Sequence, residues 1–504
     1  MAFETTRSSK MAIVEETTEG TPIFPTLATD YLLLQEGFEL IPAFETIENA
    51  ELSGIIGSSA TVQGLESPTG SMAHYHRHSG VEGTAPDYNL LLKSFMGAET
   101  SNATERTTTV GSTVSVVELA AGGSDFARGF AVLVKEAPYS IRNVTSVATD
   151  ALTLAQDLGT APATGIDVGK CVNYTLTDAG IPLSVFDYRA DGGALQLQSG
   201  AKVDSMTINI PAADAINTDF SWVSTKHYMD PLEVTSTSNK LDFTDDTGTF
   251  AVSVTAKVYT DPVELASALE TAINAATVET MSVTFNKTGA SAGKYTIATS
   301  TSAVLSLLWK TGVSGADNTD EHIGSLLGYS DAADDTAATT YTSDTELSWA
   351  APQTPTTDST DFLVAKNNEL IIGGSTEVTC VDSASVTVNG SKEASDVLSI
   401  CAESGKSSTI FNGREITVDV VAYLEKHDVS KWVNFRQNDT VVFTYNGGTK
   451  TASNWDAGKC INIHMPAAKI TEFALQDLDG IVTMEMTLQA FVSSGNPEFY
   501  LNFL

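Results

Sequence analysis

Positive charge is scarce in this sequence. Lys and Arg supply 27 of its 504 residues against 63 Asp and Glu, a net charge of −36. No arginine stands between Arg189 and Arg414. Gripping nucleic acid requires Lys and Arg to displace counterions from phosphate, so the composition argues against such a site. A surface past which nucleic acid slides without sticking remains open. Cysteine is scarcer still. Cys171, Cys380, Cys401 and Cys460 lie far apart, with no C-x-x-C pair. That spacing supports neither a structural zinc site nor a disulfide framework, and it predicts reduced, buried thiols. Long apolar runs are missing too. Runs such as Tyr31–Leu34 are far shorter than the roughly 20 residues needed to cross a bilayer. Met1–Lys10 is polar, with no apolar core of signal-peptide length, which predicts synthesis and folding in a cytoplasm.

Catalytic signatures are equally hard to find. No G-x-S-x-G elbow occurs. Gly405-Lys406-Ser407 matches the end of a phosphate loop, but the required glycine five residues before Gly405 is Ile400. Asp477-Leu478-Asp479-Gly480 has a calcium-loop flavour, yet ligand positions one and twelve are Leu475 and Met486. A turn before the last long strand explains it better. His74, His76 and His78 alternate, so a strand would put all three on one face. That spacing can bind a metal, but no nearby Asp, Glu or Cys completes a set, and a strand face at an interface or beside a turn is the preferred reading. Asp245-Asp246 and Asp334-Asp335 read as solvated loop charges. No catalytic, cofactor-binding or metal residue is assigned, no cofactor is implied, and an enzyme is not expected.

What is present is β character and repetition. The apolar fraction of 42% and charged fraction of 18% fit a globular chain, with room for about three domains. A unit of alternating strand followed by a compact helix occurs twice. The first runs from Gly70 to His78 and reaches a helix at Asp87–Met96, with Asp87 as N-cap and Gly97 as the stop. The second runs from Gly413 to Tyr423 and reaches a helix between Val429 and Gln437. Val482–Gln489 alternates cleanly, as a half-buried antiparallel strand does. Residues 231–345 differ: they hold 15 acids and 5 lysines, and Asp261-Pro262 opens a helix with Leu265, Ala266, Leu269, Ala272 and Ile273 along one face. The expected organisation is an extended arm over 1–30, a first β-barrel unit over 31–230, an inserted acidic α+β domain over 231–345, and a second β-barrel unit over 346–504. The fold class is mainly β: two barrel or sandwich units, each with a short helix, plus the inserted domain.

Three stretches carry a resemblance. They are Glu48-Asn49-Ala50-Glu51-Leu52-Ser53-Gly54, then Gly64-Leu65-Glu66-Ser67-Pro68-Thr69-Gly70-Ser71, then Asp87–Gly97. In order and spacing they resemble the tail tube proteins (major tail proteins) of bacteriophages with long, flexible, non-contractile tails. Glu16–Pro22 is similar to the start of these chains, and Gly413–Tyr423 with the helix near Trp432 and Phe435 matches the same family. The resemblance implies a virion protein that self-associates into rings, with the rings stacked into a hollow tube that passes DNA through an acidic lumen without specific binding. It also implies tape measure, tail terminator and distal tail proteins as partners. Two units per chain favour a trimer with pseudo-sixfold symmetry, and a hexamer stays open. The arm and the Asp150–Thr164 loop are expected to contact neighbouring rings, and the 231–345 domain to decorate the outside. The competing reading is a fibre- or adhesin-like module that recognises host glycans through the inserted domain.

Overall fold

The computed structural model describes residues 9–49, 60–189, 194–312, 321–349, 352–355, 361–373, 378–379, 383–424, 429–493 and 495–504. Cys380 and the stretch from Ala50 to Gly54 therefore lie outside the described residues. The chain is mainly β, as its alternating pattern predicts. It divides into two compact units. The smaller comprises Met1–Ala12, Phe186–Gln198 and His227–Gln353; the larger comprises Ile13–Val185, Ser199–Lys226 and Thr354–Leu504.

The elements that matter are β1 (Lys10–Glu15), β2 (Glu39–Ile41), β3 (Phe44–Ile47), β4 (Val62–Glu66), β5 (Thr69–Tyr75), α1 (Asn89–Met96), β6 (Ala194–Pro211), β7 (Asn217–Val223), α2 (Pro262–Ala276), β8 (Ser383–Leu398), β9 (Lys406–Tyr423), α3 (Ser430–Gln437), β10 (Asn454–Leu478) and β11 (Ile481–Ala490). In the larger unit, antiparallel pairing runs unbroken through β2, β5, β7, β6, β8, β9, β11 and β10. Side chains alternate across a strand, and the sequence uses that alternation. Met72, Phe220, Met206, Val388, Val418 and Met486 all turn to the buried face.

The two halves of this unit repeat residue by residue. β5 pairs with β7 from Thr69↔Val223 to Tyr75↔Asn217, and β9 pairs with β11 from Thr417↔Gln489 to Tyr423↔Thr483. The partner ladders carry the same irregularity, a register shift between Val203 and Ser205 on β6 and between Ile470 and Glu472 on β10. The hairpins before them also match: Phe44↔Glu66, Thr46↔Gln63 and Ile47↔Val62 stand where Lys392↔Arg414, Ala394↔Phe411 and Ser395↔Ile410 stand. The repeat predicted from Gly70 and Gly413 is thus present, with a corrected register: Gly70 corresponds to Val418, and Thr69 and Tyr75 to Thr417 and Tyr423. Shared bulges fix the alignment where the glycines misled, because a bulge is a built feature of a ladder.

Each half carries its helix. α1 ends at Gly97 in the left-handed conformation (φ 88°), as predicted, and α3 ends at Asn438, also left-handed (φ 56°). Asp87 is not the N-cap of α1. Tyr88 occupies that position and makes no side-chain cap bond. Residues 106–168 add a six-stranded sheet with its own apolar core around Val117, Val132, Val144 and Leu152.

Two segments expected to order only against a neighbouring ring are ordered against their own chain. Glu16 is buried; its carboxylate accepts from the Gly200 and Gly20 amides and the Ser184 hydroxyl at 2.7–2.9 Å. Glu19 accepts from Lys202 Nζ at 2.7 Å and from the Thr409 amide at 2.9 Å. In the 150–164 segment, Ala151–Leu154 is a strand, and Leu152, Leu154 and Leu158 are buried. Polar composition misled here because Leu152, Leu154 and Leu158, and two of the acids, point inward.

The smaller unit folds around Leu241, Phe243, Leu269, Tyr295, Leu307 and Trp309. α2 begins as predicted: Asp261 caps it by accepting from the Val263 and Glu264 amides at 2.7 and 2.9 Å, with Pro262 in the first turn. Leu265, Ala266, Leu269 and Ile273 are its buried face. Of the acid pairs here, Asp246 is exposed as predicted, while the other three acids are engaged by the chain. Asp245 is buried and binds the Thr247 and Gly248 amides at 2.7 and 3.1 Å. Asp334 binds the Lys310 amide at 2.6 Å, and Asp335 accepts from the Trp309 indole at 3.0 Å. Short acidic side chains satisfy turn amides in this way.

Candidate functional surface

The site begins with the opposite face of the eight-stranded ladder. Ala73 lies across from Asp219, Asp219 from Thr207, Thr207 from Asn389, and Asn389 from Thr417. The next row runs Tyr75, Asn217, Asn209, Thr387, Asp419, Thr487 and Glu472. Directly opposed residues share a face, so this side of the sheet is a field of Ser, Thr, Asn and acids. Its carboxylates are Glu39, Asp219, Glu415, Asp419, Glu472 and Glu485, all exposed or half-buried.

Neutral donors hold three of these acids in place. Asp419 accepts from Asn389 Nδ2 at 2.9 Å and from Thr487 Oγ1 at 2.7 Å. Asp219 accepts from Asn209 Nδ2, and Glu415 from Gln489 Nε2, each at 2.9 Å. Burial pushes the Asp219 carboxyl above its usual range against that hydrogen bond. A hydrogen bond from an amide fixes a carboxylate without cancelling its charge. The row from Tyr75 to Glu472 holds no Lys or Arg, whereas the first row continues from Thr417 through Gln489 to Lys469. Lys202 and Lys469 sit at matching places just beyond the two bulges. The result is a polar, predominantly negative surface that disfavours phosphate. The alternation of Val482–Gln489 revealed one of its strands in the sequence. Which residues of the other strands share its face needed the cross-strand register.

The remaining predicted positions are structural. β5 ends at Tyr75, and His74, His76 and His78 are all buried. His76 lies 3.0 Å from the Tyr88 hydroxyl and 3.1 Å from the Thr218 hydroxyl, stacked on Phe503 at 5.4 Å between centroids. Burial, aided by its two histidine neighbours, lowers its pKa to about 3. No group of His, Cys, Asp and Glu suited to a metal occurs among the described residues. Cys171 and Cys460 are buried as predicted, but Cys401 is exposed, in the turn between β8 and β9. Lys406 of the suspected phosphate loop is buried, paired with Asp396 at 2.6 Å and donating to the Ser224 carbonyl at 3.1 Å. The Asp477–Gly480 segment is the predicted turn, with the Gly480 amide donating to Asp477 at 2.9 Å. No helix among the described residues is long and apolar enough to cross a membrane.

No curated protein matches the chain. A family model described as phage tail tube protein matches residues 6–306, more than half of the sequence. That span contains the whole first half of the ladder, and the second half repeats the first strand by strand. On the family match, the chain belongs to the phage tail tube proteins.

Proposed function

We propose that three copies of this chain close into a ring with pseudo-sixfold symmetry, that rings stack into a tube, and that the acid-rich face lines its channel. The family assignment makes the protein a structural component of the tail tube. One observation carries the finer reading: β6 of the first half pairs along Ser205–Pro211 with β8 of the second. One chain thus supplies two repeated positions side by side, already joined. Three such chains complete six. Head-to-tail contacts of this kind close a ring by rotation, and stacking along the axis is open-ended.

The channel role follows from charge. Carboxylates outnumber cations on this face, so DNA driven along such a wall meets little to hold it. The 231–345 region has an apolar core of its own, and a domain of that size on the channel side would obstruct DNA, so its place is the outer wall. The tape measure protein, the terminator and the distal tail protein are the remaining partners of such a tube, which is read as long, flexible and non-contractile. Electron microscopy of the concentrated protein tests this directly. Hollow tubes with three equal outer projections per ring are expected. A ring of six whole chains would overturn the trimer, and dispersed monomers at every concentration would overturn the ring.

A further inference from the structure

The repeat leaves one edge of the ladder uncovered. In the first half, β6 is flanked by β7 on one side and β8 on the other. In the second half, β10 from Glu472 to Leu478 pairs with β11 alone among the described residues. The consequence shows in matching residues. Met206 and Ile208 are 0% exposed, whereas their counterparts Phe473 and Leu475 are half-buried and 56% exposed. An apolar strand edge left open is a pairing site.

The repeat also names the strand that fits. β8 reaches β6 through Thr387, Val388 and Asn389, opposite Asn209, Ile208 and Thr207. Those three residues face Asp419, Val418 and Thr417 on β9, and their counterparts in the first half are Glu39, Leu40 and Ile41, facing Ser71, Gly70 and Thr69. We propose that β2 of a second copy pairs antiparallel with the open edge of β10, with its Glu39 opposite Gln476, its Leu40 opposite Leu475 and its Ile41 opposite Ala474. This rests on the ring reading and gives it a register.

A second contact at the same junction supports the fit. Within the chain, Lys392 of β8 donates to the Phe95 carbonyl at the end of α1 and lies 5.0 Å from the centre of the Phe95 ring. The counterpart of Lys392 is Phe44, by the matched hairpin ladders. The counterpart of Phe95, counted back from the left-handed caps Gly97 and Asn438, is Arg436. Cation and ring have changed places. Phe44 is 47% exposed, and Arg436 is exposed as well. Docking β2 in the stated register brings Phe44 of one copy to Arg436 of the next and restores a cation–π pair.

Cross-linking tests the register. Glu39→Cys with Gln476→Cys, in a Cys401→Ser background to silence the exposed native thiol, should oxidise within assembled tubes to covalent closed trimers. Each single variant should stay unlinked. Tubes that form normally without that link would overturn the docking and leave the ring reading intact, whereas a wild-type chain that never assembles removes both. The exchange of partners is tested separately. Phe44→Lys sets two cations together and should raise the concentration needed for assembly about tenfold, equivalent to roughly 1.4 kcal/mol, with an unchanged monomer melting temperature. Adding Arg436→Phe should restore assembly to within about threefold, by rebuilding the Lys–Phe pair of the inner junction. Failure of the second substitution to rescue overturns the Phe44–Arg436 contact.

Discussion

α1 and α3 occupy equivalent places in the two halves, and their surroundings are opposite. Leu91, Leu92, Phe95 and Met96 of α1 are all 0% exposed, whereas Trp432 and Val433 of α3 are 45% and 36% exposed. The difference is one of coverage. Phe95 is roofed by β8: a Cβ on Gly390 would come within 2.6 Å of its ring. α3 packs inward only, through Phe435 and Trp432 on Phe473. One helix is finished inside the chain, and the other keeps an apolar face outside it. The contrast teaches that this chain is a building block cut at one particular junction, with the same junction made once internally.

The contrast is broken most strongly at Phe95. Phe95→Ala should cost about 3–5 kcal/mol of unfolding free energy, the range for a buried aromatic truncated in a packed core. Denaturant unfolding of the monomer reads it. A loss under about 1 kcal/mol would mean that α1 is not the sealed counterpart of α3.

The two halves have a second lock. Asn462 donates to Asn446 at 2.7 Å and to Asn143 at 3.0 Å, and accepts from Asn502 at 2.9 Å, with all four residues buried. This network ties the six-stranded sheet and the last strand of the chain to β10. Asn462→Leu should cost about 2–3 kcal/mol, because the buried Asn446 and Asn143 side-chain oxygens lose the donor they have in Asn462 and Asn502 loses an acceptor. Thermal unfolding should also lose its single sharp transition. An unchanged midpoint would show that the halves are held by the ladder alone.

Much of this was legible in the sequence. Alternation gave the strands, Asp261-Pro262 gave the start of α2, and Gly97 gave the end of α1. The strand–helix unit was visible twice. Its register was not, because Gly70 and Gly413 are similar letters in different ladder positions, and only paired bulges align the halves. The polar face was illegible for the same reason: one strand shows which residues alternate, never which of them share a side with the next strand. Glu16, Asp245 and Asp335 were misread because an acid in a polar stretch looks solvated until the amide, hydroxyl or indole donors that surround it are placed.

Glu16 gives the folded chain a pH dependence. Burial raises its carboxyl pKa from 4.5 to about 7, against the pull of the Gly200, Ser184 and Gly20 hydrogen bonds. A carboxyl with a raised pKa in the folded state binds its proton more tightly there than in the unfolded chain. Its contribution to stability is therefore full below about pH 4.5 and is lost as pH rises through about 7. Glu16→Gln should flatten the stability profile between those values and leave the variant relatively stronger above pH 7. A wild-type profile already flat across that window would place Glu16 in solvent.

The smallest effect on the monomer belongs to α3, and it is the most telling. Trp432 is nearly half exposed and touches Phe435 and Phe473, with ring centroids 5.7 and 5.6 Å away. Trp432→Ala removes only part of a large side chain from apolar contact, so the isolated chain should lose about 1 kcal/mol or less. The matched Phe95→Ala loses several times more. In assembly the order should reverse: the face bared on α3 is the one a neighbour covers, and aromatic side chains at such centres dominate association. Trp432→Ala should therefore fold nearly as well as wild type and form tubes only at about tenfold or greater concentration, measured by sedimentation of assembled protein against free chain. If it assembled as readily as wild type, the bare face of α3 would be solvent surface in the tube, and the two helices would differ for a reason unrelated to assembly.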